Sequence, residues 1–490
     1  MPETIASVGA ANFIAGSWRP SGTGRTYERR NPWRPSEIVG EFPRSGPEDV
    51  ADAVAAAEAA RPAWAALPAA RRGAYLARAA EAIEARVEEI AQDMTREMGK
   101  PVRESRGEAA RAAAILRFFS GEGWRPVGQM FEQSATGAAV YTRRRPVGTV
   151  GLITPWNFPA AIPTWKTAPA LAYGNTVVLK LAQDAPLTGL HLARAFAEAE
   201  LPEGVLNVII GRGSEAGQPL VEDPRVRAIS FTGSVPVGHG VRDLATRQGK
   251  RVQLELGGHN PLIVAADANL DAAVQAAYAG AFSSAGQKCT ATRRIYIEDA
   301  AYDDFRARFL DRTAAGKVGD PSDPETEVGP LVNETQFDDV LAGIARGRSE
   351  GGTVLAGGTV LAGGSRSEGD GFLIAPTVFE GVADDAFLSC EEVFGPVCSL
   401  YRFGDLGDAI ARANAPRFGL SAAVFTTSLA TAQRCVDELE AGILHVNSQT
   451  AGADVHVPFG GTKESGYGPH EQGRSAIEFY TEEVTVYQDV

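Results

Sequence analysis

A chain of 490 residues, 44% hydrophobic and 22% charged, has the balance of a soluble globular protein. It is long enough for more than one domain and for a core that needs neither disulfide nor structural metal. Its 61 acidic and 47 basic residues leave a formal charge of −14, which argues against nucleic acid and anionic membrane as partners, since both select a basic face.

Four cysteines (Cys289, Cys390, Cys398, Cys435) are too few and too irregular for a disulfide framework, and no C-x-x-C pair or nearby histidine cluster suggests a metal site. Met1-Pro2-Glu3-Thr4 does not open a basic-then-apolar leader, and no run of about twenty apolar residues could span a bilayer. A reducing, cytoplasmic setting is expected.

Residues 45–120 read as helices rich in Ala, Glu and Arg. Ser45-Gly46-Pro47-Glu48 has the spacing of a capping box, and the run from Pro47 to Ala60 follows at helical period. Ser134-Ala135-Thr136-Gly137, flanked by β-formers within 129–145, predicts a hairpin. Being marginal alone, it should pack on another element or subunit. From residue 147 the pattern changes to short β-branched runs, each followed by a helical stretch: Val150–Ile153, Thr176–Lys180, Val205–Ile210, Ala228–Phe231 and Val252–Leu256. This alternation predicts βαβ units and a parallel, doubly wound sheet. A second series at Pro261–Val264, Arg294–Glu298, Ala422–Thr426 and Ile443–Val446 predicts a second α/β domain. Gly-rich 351–371 reads as surface turns, and no internal repeat is present.

Among the cysteines, Cys289 stands apart. It lies in Ser283-Ser284-Ala285-Gly286-Gln287-Lys288-Cys289-Thr290, a small polar loop where backbone can approach a substrate, and Lys288 beside it should favour the thiolate. Glu255 ends an apolar strand in Leu254-Glu255-Leu256-Gly257-Gly258, where burial should raise its pKa into general-base range. Thr154-Pro155-Trp156-Asn157-Phe158-Pro159 follows another strand, at the end of a parallel sheet where ligands bind. Asn157 is a rigidly held amide suited to an oxyanion. Phe231-Thr232-Gly233-Ser234 is a strand-to-helix turn in which Gly233 admits close backbone approach and Ser234 with the next N–H groups can hold a phosphate. Lys180, ending its strand, could reach a ribose or phosphate.

Together, Ile153–Pro159, Phe231–Gly238, Leu254–Gly258, Gly286–Cys289, Glu391-Glu392-Val393-Phe394-Gly395-Pro396 and Pro458-Phe459-Gly460-Gly461 closely resemble the aldehyde dehydrogenase superfamily, from about Asn12 to the C-terminus. The resemblance implies an α/β fold in three parts. A Rossmann-like cofactor domain would span 1–127 and 147–256, a catalytic domain 257–457, and a small β oligomerisation element 128–146 and 458–490, in a homodimer or homotetramer.

It further implies a nucleophile (Cys289), an oxyanion hole (Asn157 with the Cys289 N–H), a base (Glu255) and a Lys166–Glu471 proton relay. NAD or NADP contacts would come from Ile153, Thr154, Pro155, Trp156, Lys180, Phe231, Gly233, Ser234, Val237, Leu256, Glu392 and Phe394. Phe158, Trp165 and Phe459 would line the aldehyde pocket.

Two departures bear on specificity. Where the family often has Lys-Pro-(Ala/Ser)-Glu, this chain has Lys180-Leu181-Ala182-Gln183; a neutral Gln183 removes a carboxylate that repels the NADP 2′-phosphate, and Arg212 could reach that phosphate. Lys288-Cys289-Thr290-Ala291-Thr292-Arg293-Arg294 resembles members that oxidise semialdehydes, notably α-ketoglutaric semialdehyde dehydrogenases. Lys288 and Arg293 are then candidate partners for a substrate carboxylate. Another small aliphatic or aromatic aldehyde is the alternative substrate. CoA-acylating relatives usually lack the base at Glu255, and a non-catalytic structural member would be expected to lose Cys289 or Glu255.

Overall fold

The computed structural model describes residues 11–357, 360–362 and 371–488. Its first sheet has eight strands in the order 17–20, 11–14, 206–210, 176–181, 149–153, 226–232, 251–255 and 466–467. The five central strands are parallel. Thr149–Ile153, Thr176–Leu181 and Leu206–Ile210 are buried at every position, as a sheet covered on both faces requires. The N-terminal hairpin, Ala11–Ile14 with Ser17–Pro20, adds an antiparallel edge through Phe13 and Val208; sequence patterning had not suggested it.

The capping prediction shifts by one residue. Gly46 caps the helix Pro47–Ala66, and Asp49 rather than Glu48 accepts the Gly46 N–H at 2.9 Å. Ser45 instead exchanges hydrogen bonds with Asn12.

The second sheet runs 353–356, 377–380, 397–403, 292–298, 260–264, 421–425, 443–446, with only the first pair antiparallel. The predicted surface loop at 351–371 thus contains an edge strand, Thr353–Ala356; much of its remainder lies outside the described residues. A third sheet joins Met130–Glu132, Ala139–Pro146 and Thr481–Gln488, so the predicted hairpin pairs with the C-terminal strand. No helix among the described residues is long and apolar enough to cross a membrane.

In the first sheet the chain leaves Thr149–Ile153 toward one edge and returns on its other side at Val226–Thr232. That reversal splays the following loops, 154–160 and 233–234, and opens a crevice at the carboxyl ends of the strands. Leu254 and Glu255 pair with Tyr467 and Gly466, which brings the C-terminal segment to the same end of the sheet.

Candidate active site

A cleft of about 490 Å³ opens at that end, lined on the first sheet's side by Trp156, Asn157, Gly233, Ser234 and Leu256 and opposite by Cys289, Glu392 and Phe394. Trp156 meets Phe394 edge-on at 5.6 Å across it. The glycines are dictated by space. A Cβ on Gly257 would lie 2.3 Å from a Glu392 carboxylate oxygen, and one on Gly233 2.5 Å from the Phe231 ring. Ser234 caps the helix Val235–Thr246, leaving first-turn N–H groups toward the cleft, and Thr232 Oγ1 is buried there without a partner.

Farther along, Lys180 is buried and donates to the Gly211 carbonyl at 3.1 Å. Burial pulls its pKa down to about 8. A Cβ on Gly217 would touch both Lys180 and Ile153. Arg212 is exposed on the neighbouring loop, Val237 is exposed on its helix, and Gln183 is half-buried with its carbonyl accepting from Tyr27. A long cleft with small residues, an open helix N-terminus and an unpartnered hydroxyl fits a dinucleotide.

Cys289 sits half-buried on the floor. The turn preceding it holds three successive left-handed residues, Ser284 (φ 54°), Ala285 (φ 54°) and Gly286 (φ 68°). For Ser284 and Ala285 this costs on the order of 1–2 kcal/mol each, so the loop must be held from outside. Glu104 accepts from the Ser284 N–H at 3.0 Å and, more tightly, from its hydroxyl. Gln287 bonds back to the Ser284 carbonyl, and Asn260 donates to the Cys289 carbonyl at 2.8 Å. Arg293, 2% exposed, donates to the carbonyls of Gly286, Gly395 and Val397.

Two expectations fail here. Arg293 neither faces solvent nor enters the cleft: it is a buried brace of the cysteine loop. Lys288 does not bond the thiol: its ammonium donates to the Ala279 carbonyl at 3.0 Å, and its own pKa is lowered by burial to about 8, so any pull it exerts on Cys289 is outweighed by burial. Burial, reinforced by the carboxylates of Glu392 and Glu255, pushes the Cys289 thiol up to about 12. The surroundings of Cys289 in this structure therefore favour thiol over thiolate.

Asn157 is buried, donates its amide to the Gln287 carbonyl at 3.1 Å, and leaves Oδ1 unpartnered. Its loop is fixed by a pair that sequence reasoning missed. Lys100 donates to the Asn157 carbonyl at 2.8 Å, forms a close ion pair with Glu108 and lies 4.0 Å over the Phe158 ring. Glu108 in turn accepts the N–H groups of Ala160 and Ala161 at 2.9 and 3.1 Å. A signal was available: Glu104, Glu108 and Arg111 fall at i, i+4 and i+7, a charged stripe on one helical face.

Glu255 is buried with Oε2 unpartnered. Burial first, then the Glu471 charge, holds its pKa well above the carboxylate range against the opposing pull of Lys166. Behind it, Lys166 contacts Glu471 closely and donates to Ser230 at 2.7 Å, and Ser230 bonds Glu471 and Gln253, each at 3.0 Å. Glu471 exchanges backbone hydrogen bonds of 2.7 Å with Phe459, whose ring lies 5.5 Å from Trp165. The geometry thus joins thiol, amide, carboxylate and a dinucleotide-sized cleft.

Residues 18–486 match the Aldehyde dehydrogenase family. The chain is 43% identical to the alpha-ketoglutaric semialdehyde dehydrogenase of Bacillus subtilis, over 97% of each chain. Among solved structures it resembles an NAD-dependent aldehyde dehydrogenase from Sinorhizobium meliloti (36% identity, TM-score 0.95, covering 99% and 96% of the two chains). It also resembles an E. coli NADP-dependent enzyme (35% identity, TM-score 0.94, covering 99% of each chain). The chain belongs to the aldehyde dehydrogenase family. It is an NAD(P)-dependent oxidoreductase that converts an aldehyde to the carboxylic acid.

Proposed function

We propose that the physiological substrate is a carboxylate-bearing semialdehyde of the α-ketoglutaric semialdehyde type and that NADP is accepted beside NAD. The named activity of the Bacillus subtilis relative supports the first. The second is supported by neutral Gln183 beside Lys180 and by the likeness to an NADP-dependent enzyme.

In this reading the Cys289 sulfur adds to the aldehyde carbon as its proton leaves to Glu255, and the oxyanion is received by the Asn157 amide and the Cys289 N–H. Trp156, Lys180, Gly233, Ser234, Glu392 and Phe394 would hold the dinucleotide, which would supply the hydride acceptor. Loss of hydride from the thiohemiacetal leaves a thioester on Cys289. Lys166, Ser230 and Glu471 give the thiol proton a buried exit from Glu255. The freed carboxylate then removes a proton from water, the hydroxyl adds to the thioester carbon, and the C–S bond breaks to release the acid as Glu255 returns its proton to sulfur.

Cys289 and Asn157 lining one cleft, with the Glu255 carboxyl close enough behind it to act on the Cys289 thiol, is the observation that supports this reading. A screen of NADPH and NADH formation over a panel of aldehydes, with Cys289→Ala as the blank, tests it. Semialdehydes should lead in kcat/KM, and product formation by the blank would remove Cys289 from the scheme.

The sheet formed by Met130–Glu132, Ala139–Pro146 and Thr481–Gln488 is the proposed oligomerisation element, with 1–127 and 147–256 as the cofactor domain and 257–457 as the catalytic domain. Met130 (73% exposed), Phe131 and Tyr487 present an apolar surface there that a second copy would cover. Four free cysteines suit a reducing cytoplasm.

A further inference from the structure

With Lys288 and Arg293 turned away, a substrate carboxylate needs another partner. Arg111 lies on the helix Val102–Ser120, one turn beyond Glu108, and its guanidinium donates to Gln472 Oε1 at 3.2 Å. It is half-buried, and no carboxylate among the described residues lies within 4.0 Å of it. Glu108 is occupied by Lys100, Glu471 by Lys166, and Asp454 stands exposed, acting on Arg111 only at a distance.

Gln472 adds an independent mark. It is 1% exposed, is held at a left-handed φ of 59°, and has its Nε2 donor buried without an acceptor. It directly follows Glu471, whose backbone pairs with Phe459, and Phe459 packs on Trp165. Trp165 Nε1 is a further buried donor without an acceptor. Two donors without an acceptor, Gln472 Nε2 and Trp165 Nε1, and a guanidinium bonded to a neutral amide thus belong to the aromatic pair expected to line the aldehyde pocket or to the residues joined to it through Glu471.

We propose that Arg111 and Gln472, with the Trp165 indole N–H, form an anion subsite that binds the carboxylate at the far end of a semialdehyde and sets specificity by charge. This rests on the substrate class proposed above. A carboxylate fits the donor set because it accepts through two oxygens, from the guanidinium and from the amide together.

The test compares 2,5-dioxopentanoate with pentanal, its uncharged counterpart of equal chain length, in the parental enzyme, Arg111→Met and Arg111→Lys. Charge-assisted bonds of this kind correspond to about a tenfold to hundredfold effect. The ratio of kcat/KM for the two substrates should fall by that factor in Arg111→Met, through KM more than kcat, and recover partly in Arg111→Lys. Glutarate, a non-reactive dicarboxylate, should inhibit the parental enzyme competitively and lose at least tenfold in potency against Arg111→Met.

Equal losses on both substrates in Arg111→Met, or an unchanged ratio, would overturn the subsite while leaving the substrate class standing. A parental enzyme without preference for 2,5-dioxopentanoate would overturn the substrate class and the subsite with it.

Discussion

Lys100→Met probes how the oxyanion donor is held. The Lys100 and Glu108 side chains are 1% and 2% exposed, so removing the ammonium strands a buried carboxylate. Breaking a buried pair this way costs about 3–5 kcal/mol. The same change deletes the 2.8 Å bond to the Asn157 carbonyl, the contact that fixes where the amide points. Complete loss of one oxyanion donor lowers kcat about 10²–10³-fold, and a displacement of roughly 1 Å costs about 10²-fold.

The expected outcome is a lowered melting temperature together with a fall in kcat approaching 10²-fold, read by NAD(P)H formation at saturating aldehyde. The double variant Lys100→Met/Glu108→Gln separates the two effects. A neutral glutamine still accepts the Ala160 and Ala161 N–H groups without leaving a buried charge, so thermal stability should largely return while kcat stays low. A single variant that keeps kcat within about twofold, or a double variant that recovers both quantities, would refute the reasoning.

Glu255→Gln should retain a burst of NAD(P)H but lose steady turnover, because hydride transfer precedes deacylation. Since burial and Glu471 raise the Glu255 pKa, the active base form accumulates only as pH climbs through that raised value, and parental turnover should fall as pH drops below it; this limb should vanish in the variant, and its persistence would assign it elsewhere. Gln183→Glu sets a carboxylate where the proposed contact with the NADP 2′-phosphate would lie and should reduce kcat/KM for NADP about tenfold to a hundredfold with little change for NAD; equal effects on both cofactors would exclude the charge argument. Gly286→Ala sets a Cβ 2.1 Å from the Gly395 carbonyl at a φ of 68°, so the cysteine loop must shift and kcat should drop about 10²-fold in a chain whose circular dichroism stays native.

What could be read from the sequence follows from what is local. Five central strands announced themselves because a sheet buried on both faces needs unbroken apolar runs, as in Thr149-Val150-Gly151-Leu152-Ile153. Cys289, Glu255 and Asn157 were legible because each interrupts such a context with a reactive group at a strand end or tight loop. The directions of Lys288 and Arg293 were not. Adjacency in sequence to Cys289 said nothing of where their side chains go, and a parallel strand alternates its faces, so Arg293 enters the packed interior. Lys100, just ahead of the helix Val102–Ser120, and Glu104, Glu108 and Arg111 on it escaped notice because charged residues in Ala-rich segments ordinarily face water; only assembly against the 154–160 and 283–289 loops and Gln472 engages them. Gln472 is separated from Arg111 by 361 residues, a pairing that no local pattern encodes.

Four polar atoms of the site, Asn157 Oδ1, Thr232 Oγ1, Glu255 Oε2 and Glu471 Oε2, are buried without a protein partner. Each costs on the order of 1–3 kcal/mol, and the braces built on Glu104, Glu108 and Arg293 are what keep the loops from relaxing to satisfy them. The burial that makes these atoms costly also strengthens the Asn157 amide toward a developing oxyanion and lifts the Glu255 pKa. It keeps the Cys289 proton on sulfur as well. One variable therefore has three consequences, two of which favour the reaction and one of which opposes it. A more acidic thiol obtained by admitting water would not make a faster enzyme, because the oxyanion donor and the base would lose strength together.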